Sequence, residues 1–248
     1  MGLLDKYRNY QETRRKRRIE KAVKLVKNAK AIREDRWGAL SFLAEDLDVA
    51  ADAVPALLPR FEYSLEHGIN DTREKELTLK GIVRFGDEAL PFLKDWLRST
   101  TRIAWPIKAI KEIGSEEVVV DTLKQALNFN DVTFDQSAVD KNYDILCHLR
   151  DYPLDGYFKE IAHFLQDPDE RVRFAAAEAL IEQNSDEVKV YLQDFLKDDS
   201  SENRRIKQAV VSAFLKHSWQ VDTQSEFPEG RVMDGVYINA QGQLEVRA

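Results

Sequence analysis

Five times along this chain an apolar residue is followed, after two spacers, by an aromatic or small residue and then leucine. The instances are Phe61, Ser64, Leu65; Leu93, Trp96, Leu97; Leu123, Ala126, Leu127; Ile161, Phe164, Leu165; and Leu192, Phe195, Leu196. The closing leucines lie 32, 30, 38 and 31 residues apart. A period of that size marks a stack of supersecondary units, each unable to bury its apolar face alone. The patterns sit on longer stripes, such as Ala89, Phe92, Leu93, Trp96, Leu97 and Val188, Tyr191, Leu192, Phe195, Leu196. Spacings of three and four place those side chains on one face of a helix.

A second set of helices, richer in small residues, is expected between them. Val172–Leu180 and Ile206–Phe214 are the clearest, and their alanines allow close approach of neighbouring axes. Turn signals separate the helices at Gly86-Asp87, Gly114-Ser115, Pro153-Leu154-Asp155 and Asn184-Ser185-Asp186. Ser115 and Ser185 are placed to cap helix N-termini. Composition agrees with this picture: 10 Gly and 7 Pro in 248 residues are too few for an all-β sandwich. With 43% apolar residues the chain is not of the disordered class either. The prediction is an all-α protein, an α-solenoid of about six antiparallel helix pairs. A basic N-terminal arm or helix extension covers residues 1–18, the solenoid 19–219, and a loop and hairpin tail 220–248.

The segment Asp167-Pro168-Asp169-Glu170-Arg171-Val172-Arg173-Phe174-Ala175-Ala176-Ala177-Glu178-Ala179-Leu180 resembles the second half of a HEAT repeat. It is most similar to the short bacterial kind named from phycobilisome lyases. The resemblance extends to 186–214 and, by spacing, across 50–150. It implies a curved stack of helix pairs and a protein-binding scaffold, with the inner helices forming the concave face.

Several chemistries find no support in the residues. HEAT-repeat hydroxylases use paired His-Glu dipeptides, and none of His67, His148, His163 or His217 is followed by Glu. These histidines are dispersed and form no zincin motif. Cys147, the single cysteine, can form no internal disulfide, and a neighbour such as His148 points about 100° away on a helix. No phosphate-binding glycine motif occurs. HEAT-like DNA glycosylases place a carboxylate near their tryptophans; here Trp37, Trp96, Trp105 and Trp219 have none four residues downstream. Of these, Trp105, beside Pro106, is the candidate for exposure. No catalytic residue, metal or cofactor is expected. Met1–Lys6 lacks the apolar core of a leader, and no run approaches the ~20 apolar residues of a membrane span. The expected location is the cytoplasm.

Charge is distributed unevenly. Residues 1–36 hold 13 Lys or Arg against 5 acids, within a chain whose net charge is −7. Arg14-Arg15-Lys16-Arg17-Arg18 is the densest run, suited to nucleic acid, an anionic membrane surface or an acidic protein face. Its plainer role is a solvated turn of the capping helix. A second pattern appears seven positions before the anchors Leu43, Ile82, Leu180 and Phe214: Arg36, Lys75, Arg173 and Lys207. Lys141 joins it relative to His148. These cations either line the inner wall as a stripe for an acidic partner or bond internally to acids in adjacent turns. The leading function is a non-catalytic scaffold or adaptor binding a protein. The alternative is a nucleic-acid-associated protein using the arm, least of all a glycosylase. After Trp219, Val236–Val246 reads as a β-hairpin turning near Gly242.

Overall fold

The computed structural model describes residues 3–130, 135–222 and 227–247. Among them are twelve α-helices packed in sequence as repeats, followed by a small antiparallel sheet. The chain divides into two compact units, residues 1–126 and 127–248.

The first unit holds α1 (Leu3–Val26), α2 (Arg33–Ser41), α3 (Ala50–Leu57), α4 (Gly68–Val83), α5 (Leu90–Ser99), α6 (Ala104–Ile113) and α7 (Glu116–Ala126). Helices two apart in sequence touch, so α1, α3, α5 and α7 form one layer and α2, α4 and α6 the other, with α1 against α2, α3 against α4 and α5 against α6. The expected stripe on α5 is the buried one: Ala89, Leu93 and Leu97 are sealed from solvent. Pro91 lies in its first turn, where a missing N–H costs nothing. α2 runs on into a π-helical turn, Phe42–Asp46, and α3 into a 3₁₀ turn, Leu58–Glu62. The first of the five patterns therefore ends early: Phe61 is buried, but Tyr63 is extended and Leu65 lies in the connection to α4. The basic arm has no boundary at residue 18, because Leu3–Val26 is a single helix.

The second unit holds α8 (Gln136–Leu149), α9 (Phe158–His163), α10 (Glu170–Ile181), α11 (Lys189–Leu192) and α12 (Arg204–His217). α8, α10 and α12 lie side by side, with α9 against α10. The all-alanine stretch of α10 is fully used, Ala175, Ala176, Ala177 and Ala179 all being buried. Polar caps begin several helices: Asp135 accepts the Ser137 and Ala138 N–H groups, and Asp169 that of Arg171. Ser115 accepts the Val118 N–H at 3.4 Å at the start of α7, as its position predicts, whereas Ser185 accepts the Glu187 N–H at 3.2 Å in a turn before α11, whose N-cap is Val188.

The tail differs from the expected hairpin by one strand. β2 (Val236–Ile238) and β3 (Leu244–Val246) pair antiparallel as expected, but β1 (Arg231–Met233) adds to β2. A lone hairpin is marginal in water, and a third strand supplies the missing pairing. The turn between β1 and β2 is Asp234-Gly235, with Gly235 at φ +73; this dipeptide is a strong hairpin signal in the sequence. β3 packs on α12, and the Val221 N–H donates to Gly242 O at 2.8 Å.

Candidate interaction surfaces

The cationic ladder lies inside the repeats. Arg36 on α2 is 3% exposed and donates to both oxygens of Glu74 on α4 at 2.9–3.1 Å, and to Ala31 O. The hydrogen bond to Glu74 raises the Arg36 pKa against the opposing effect of burial. Lys75 reaches Asp71 at 2.7 Å. Between them stands Arg60, fully buried, bonding Glu74 and Asp71 at 2.7 Å each. Burial pushes the Asp71 carboxyl up, but hydrogen bonds from Arg60, Lys75 and the Leu65 N–H hold it below the usual range. Sequence spacing missed Arg60 and Glu74; the available signal was an arginine inside the apolar run from Val54 to Phe61.

The second unit continues the arrangement. Arg173 donates to Asn203 Oδ1 at 3.0 Å and to the carbonyls of Asp167 and Pro168 at 2.9 Å. Lys207 is buried and meets Asp199 at 2.6 Å. Lys141 is buried as well, and desolvation lowers its pKa. Arg36, Lys75, Lys141 and Lys207 are thus buried, and Arg173 is half-buried. Of the two arrangements open to the ladder, the geometry of Arg36, Lys75, Arg173 and Lys207 is that of the internal one: each bonds side chains or carbonyls of its own or the next repeat.

Trp105 is half-buried, stacked on Phe61 at 5.8 Å with Lys108 Nζ 5.1 Å from its ring. Cys147 is half-buried rather than sealed; burial raises its thiol pKa, opposed by a hydrogen bond with Tyr143. Among the described residues no three His, Cys, Asp or Glu side chains cluster as a metal site would require. A cleft of about 720 Å³ beside α12 is lined by Asp198, Asp199, Arg204, Lys207, Arg231 and Asp234, of which Lys207 pairs with Asp199 and Arg231 with Asp234.

What the second unit does display are Arg171 on α10 and Arg205 on α12, both exposed. Arg171 on α10 lies 5.6 Å from the Tyr143 ring on α8 and pairs with Asp140 at 2.9 Å. Arg205 on α12 covers Phe174 on α10 at 3.5 Å. Arg150 and Glu178 meet at 3.5 Å. Arginine is therefore laid over an aromatic ring at each step from one helix to the next. The Asp140 carboxyl is held below its ordinary range by hydrogen bonds from Gln136 and Arg171.

In the first unit the exposed element is α1. Every described side chain from Tyr7 to Arg18 is exposed, and burial begins only at Ala22. The five-residue basic run is thus a helical surface: Arg15 pairs with Asp52, Lys16 with Glu12 and Arg18 with Asp46, while Arg14 and Arg17 make no ion pair among the described residues.

Comparison with known proteins places part of this frame. Residues 145–213 match the family of HEAT repeats, covering the last five residues of α8, all of α9, α10 and α11, and most of α12. No curated protein and no solved structure matches the chain significantly. No helix among the described residues is long and apolar enough to cross a membrane.

Proposed function

We propose that this chain is a non-catalytic helical-repeat scaffold of the cytoplasm whose partner is a protein, held on the displayed side of α8, α10 and α12. The observation that carries this reading is the row of arginine–aromatic pairs, Arg171 over Tyr143 and Arg205 over Phe174. Arginine and tyrosine dominate protein interfaces because they bring large flat contact area with polar tips and little lost freedom. HEAT repeats commonly mediate protein interactions, and the match at 145–213 includes the α10 and α12 part of this face. Three of the four steps between the closing leucines, at 30 to 32 residues, support repeats of the short bacterial kind, the fourth being 38.

The partner need not be acidic. Asp140, Asp144 and Glu178 balance Arg150, Arg171 and Arg205 on this side, whereas the ladder cations that would select an acidic partner are committed internally. A mixed, partly aromatic surface is its complement. The test is a photo-crosslinking residue placed at Tyr143 or Gln208 in the native cell, with Val190 as the control position. A discrete adduct from the first two, absent from the third and lost with Arg171→Glu/Arg205→Glu, supports the reading. Equal crosslinking from Val190, or none from the face, removes it.

A further inference from the structure

We infer that the outward stripe of α1 is a binding site for a single strand of nucleic acid. The sequence shows five consecutive cations at 14–18, but the helix sorts them onto separate sides. Arg15 meets Asp52 at 2.8 Å, and Arg18 meets Asp46 at 3.6 Å with its guanidinium 3.7 Å from the Phe42 ring centre. Ala22 and Val26, buried, continue that docked side. Glu12, Lys16 and Glu20 follow one another at four-residue spacing on a second flank, Lys16 and Glu12 being paired at 3.0 Å.

The third side is different. Tyr7, Tyr10, Arg14, Arg17, Lys21 and Lys24 succeed one another at steps of three and four, which aligns them along the helix. All six are exposed, Tyr7 and Tyr10 by 64% and 62%. Among the described residues none of the four cations is in an ion pair. At ~1.5 Å per residue the stripe is about 25 Å long. No carboxylate falls within it.

One row of cations suits one row of phosphates. A duplex groove would bring phosphates to both flanks of an inserted helix. Here one flank is occupied by the body, with Arg15 and Arg18 committed to its acids, and the other carries Glu12 and Glu20, which repel a second row. The two tyrosines, one turn apart, extend the cationic line with flat rings on which bases stack regardless of sequence. A lipid surface would call for aliphatic side chains on this side, and the stripe has none from residue 7 to 24. This site lies wholly in the first unit and does not depend on the scaffold reading of the second.

The experiment is fluorescence anisotropy of the full chain with a labelled 20-nucleotide oligo-dT or oligo-U strand. A 20-base-pair duplex, polyglutamate and phosphatidylserine-containing vesicles are run as alternatives. The single strand should bind with a log–log salt slope of about −3, the value for four phosphates neutralised on a single strand. Arg14→Ala/Arg17→Ala/Lys21→Ala/Lys24→Ala should lose more than about tenfold in affinity and flatten the slope. Tyr7→Ala/Tyr10→Ala should lose about tenfold and leave the slope unchanged, as stacking is not ionic. Arg15→Ala/Arg18→Ala, which removes charge from the docked side, should stay within about threefold. Circular dichroism confirms that each variant folds. The inference is overturned by no single-strand binding at 50 mM salt, by duplex binding of equal strength, or by equal losses in the Arg15/Arg18 variant. Capture of polyglutamate or vesicles in place of the single strand overturns it too.

Discussion

Arg60 Nε and Glu74 Oε2 meet at 2.7 Å in a place that neither side chain shares with solvent, their side-chain exposures being 0% and 2%. The same carboxylate also takes Arg36, so one buried anion holds two guanidiniums, from the turn after α3 and from α2. The network extends through Asp71 to Lys75. Three segments of the first unit, α2, the turn after α3 and α4, are fastened at that point.

Breaking such a network from the middle is far worse than never having built it, because the remaining charges stay buried. Glu74→Ala leaves Arg36 without its carboxylate and Arg60 with Asp71 alone. It should destabilise the protein by about 3–5 kcal/mol, measured as the loss of unfolding free energy in a urea titration. A loss below about 1 kcal/mol would mean that water reaches the site and the charges are not confined there.

A neutral counterpart starts the second unit. Asn142 on α8, 1% exposed, accepts the Asn128 N–H and donates to Asn128 O, both at 2.9 Å. Its amide therefore satisfies both backbone groups of one residue after α7. Asn142→Leu keeps the size but strands that N–H and C=O, and should cost about 2–3 kcal/mol. Thermal unfolding reads the loss, and amide exchange at Asn128 should accelerate with it. Unchanged exchange at Asn128 would show that the backbone finds another partner.

Legibility follows the period of the chemistry. Helices such as α5 and α10 were readable because a 3.6-residue repeat of apolar side chains admits one buried face, and Leu93, Leu97, Ala176 and Leu180 lie on it. The ladder positions Arg36, Lys75, Arg173 and Lys207 were readable by spacing, but not their direction, because acids in neighbouring turns and an open groove satisfy the same pattern. Arg60 and Glu74 escaped entirely: their pairing joins residues 14 apart through a 3₁₀ turn that no periodicity encodes. On α1 the stripe from Tyr7 to Lys24 is visible in the sequence, yet which side docks depends on Asp46 and Asp52, residues of other elements. The third strand was missed although Asp234-Gly235 announced its turn.

Close approach sets another dependency that composition alone does not show. A Cβ on Gly81 of α4 would lie 2.5 Å from Ala44 Cβ and 2.8 Å from Ala44 Cα, in the π-helical turn after α2. Backbone cannot yield as a flexible side-chain tip does. Gly81→Ala should therefore cost about 1–3 kcal/mol, despite the better helix propensity of alanine. The compensating Ala44→Gly should recover part of that loss. A single Gly81→Ala variant as stable as the wild type would show that α4 can shift away from the turn freely.

Lys141 ties stability to alkaline pH. Desolvation lowers its pKa in the fold from the ordinary 10.5. Between the lowered value and 10.5 the unfolded chain binds more protons at this residue than the folded one. Stability contributed by this residue therefore rises with pH across that window, and is lowest below it, where the buried ammonium is fully charged. Lys141→Met removes the titration while keeping an unbranched side chain of similar length. The stability difference between wild type and Lys141→Met, measured by urea unfolding from pH 7 upward, should move in favour of the wild type as pH approaches 10.5. A constant offset from other contacts of Lys141 leaves that slope intact. Parallel curves through the alkaline range would mean that the ammonium is solvated in the folded protein.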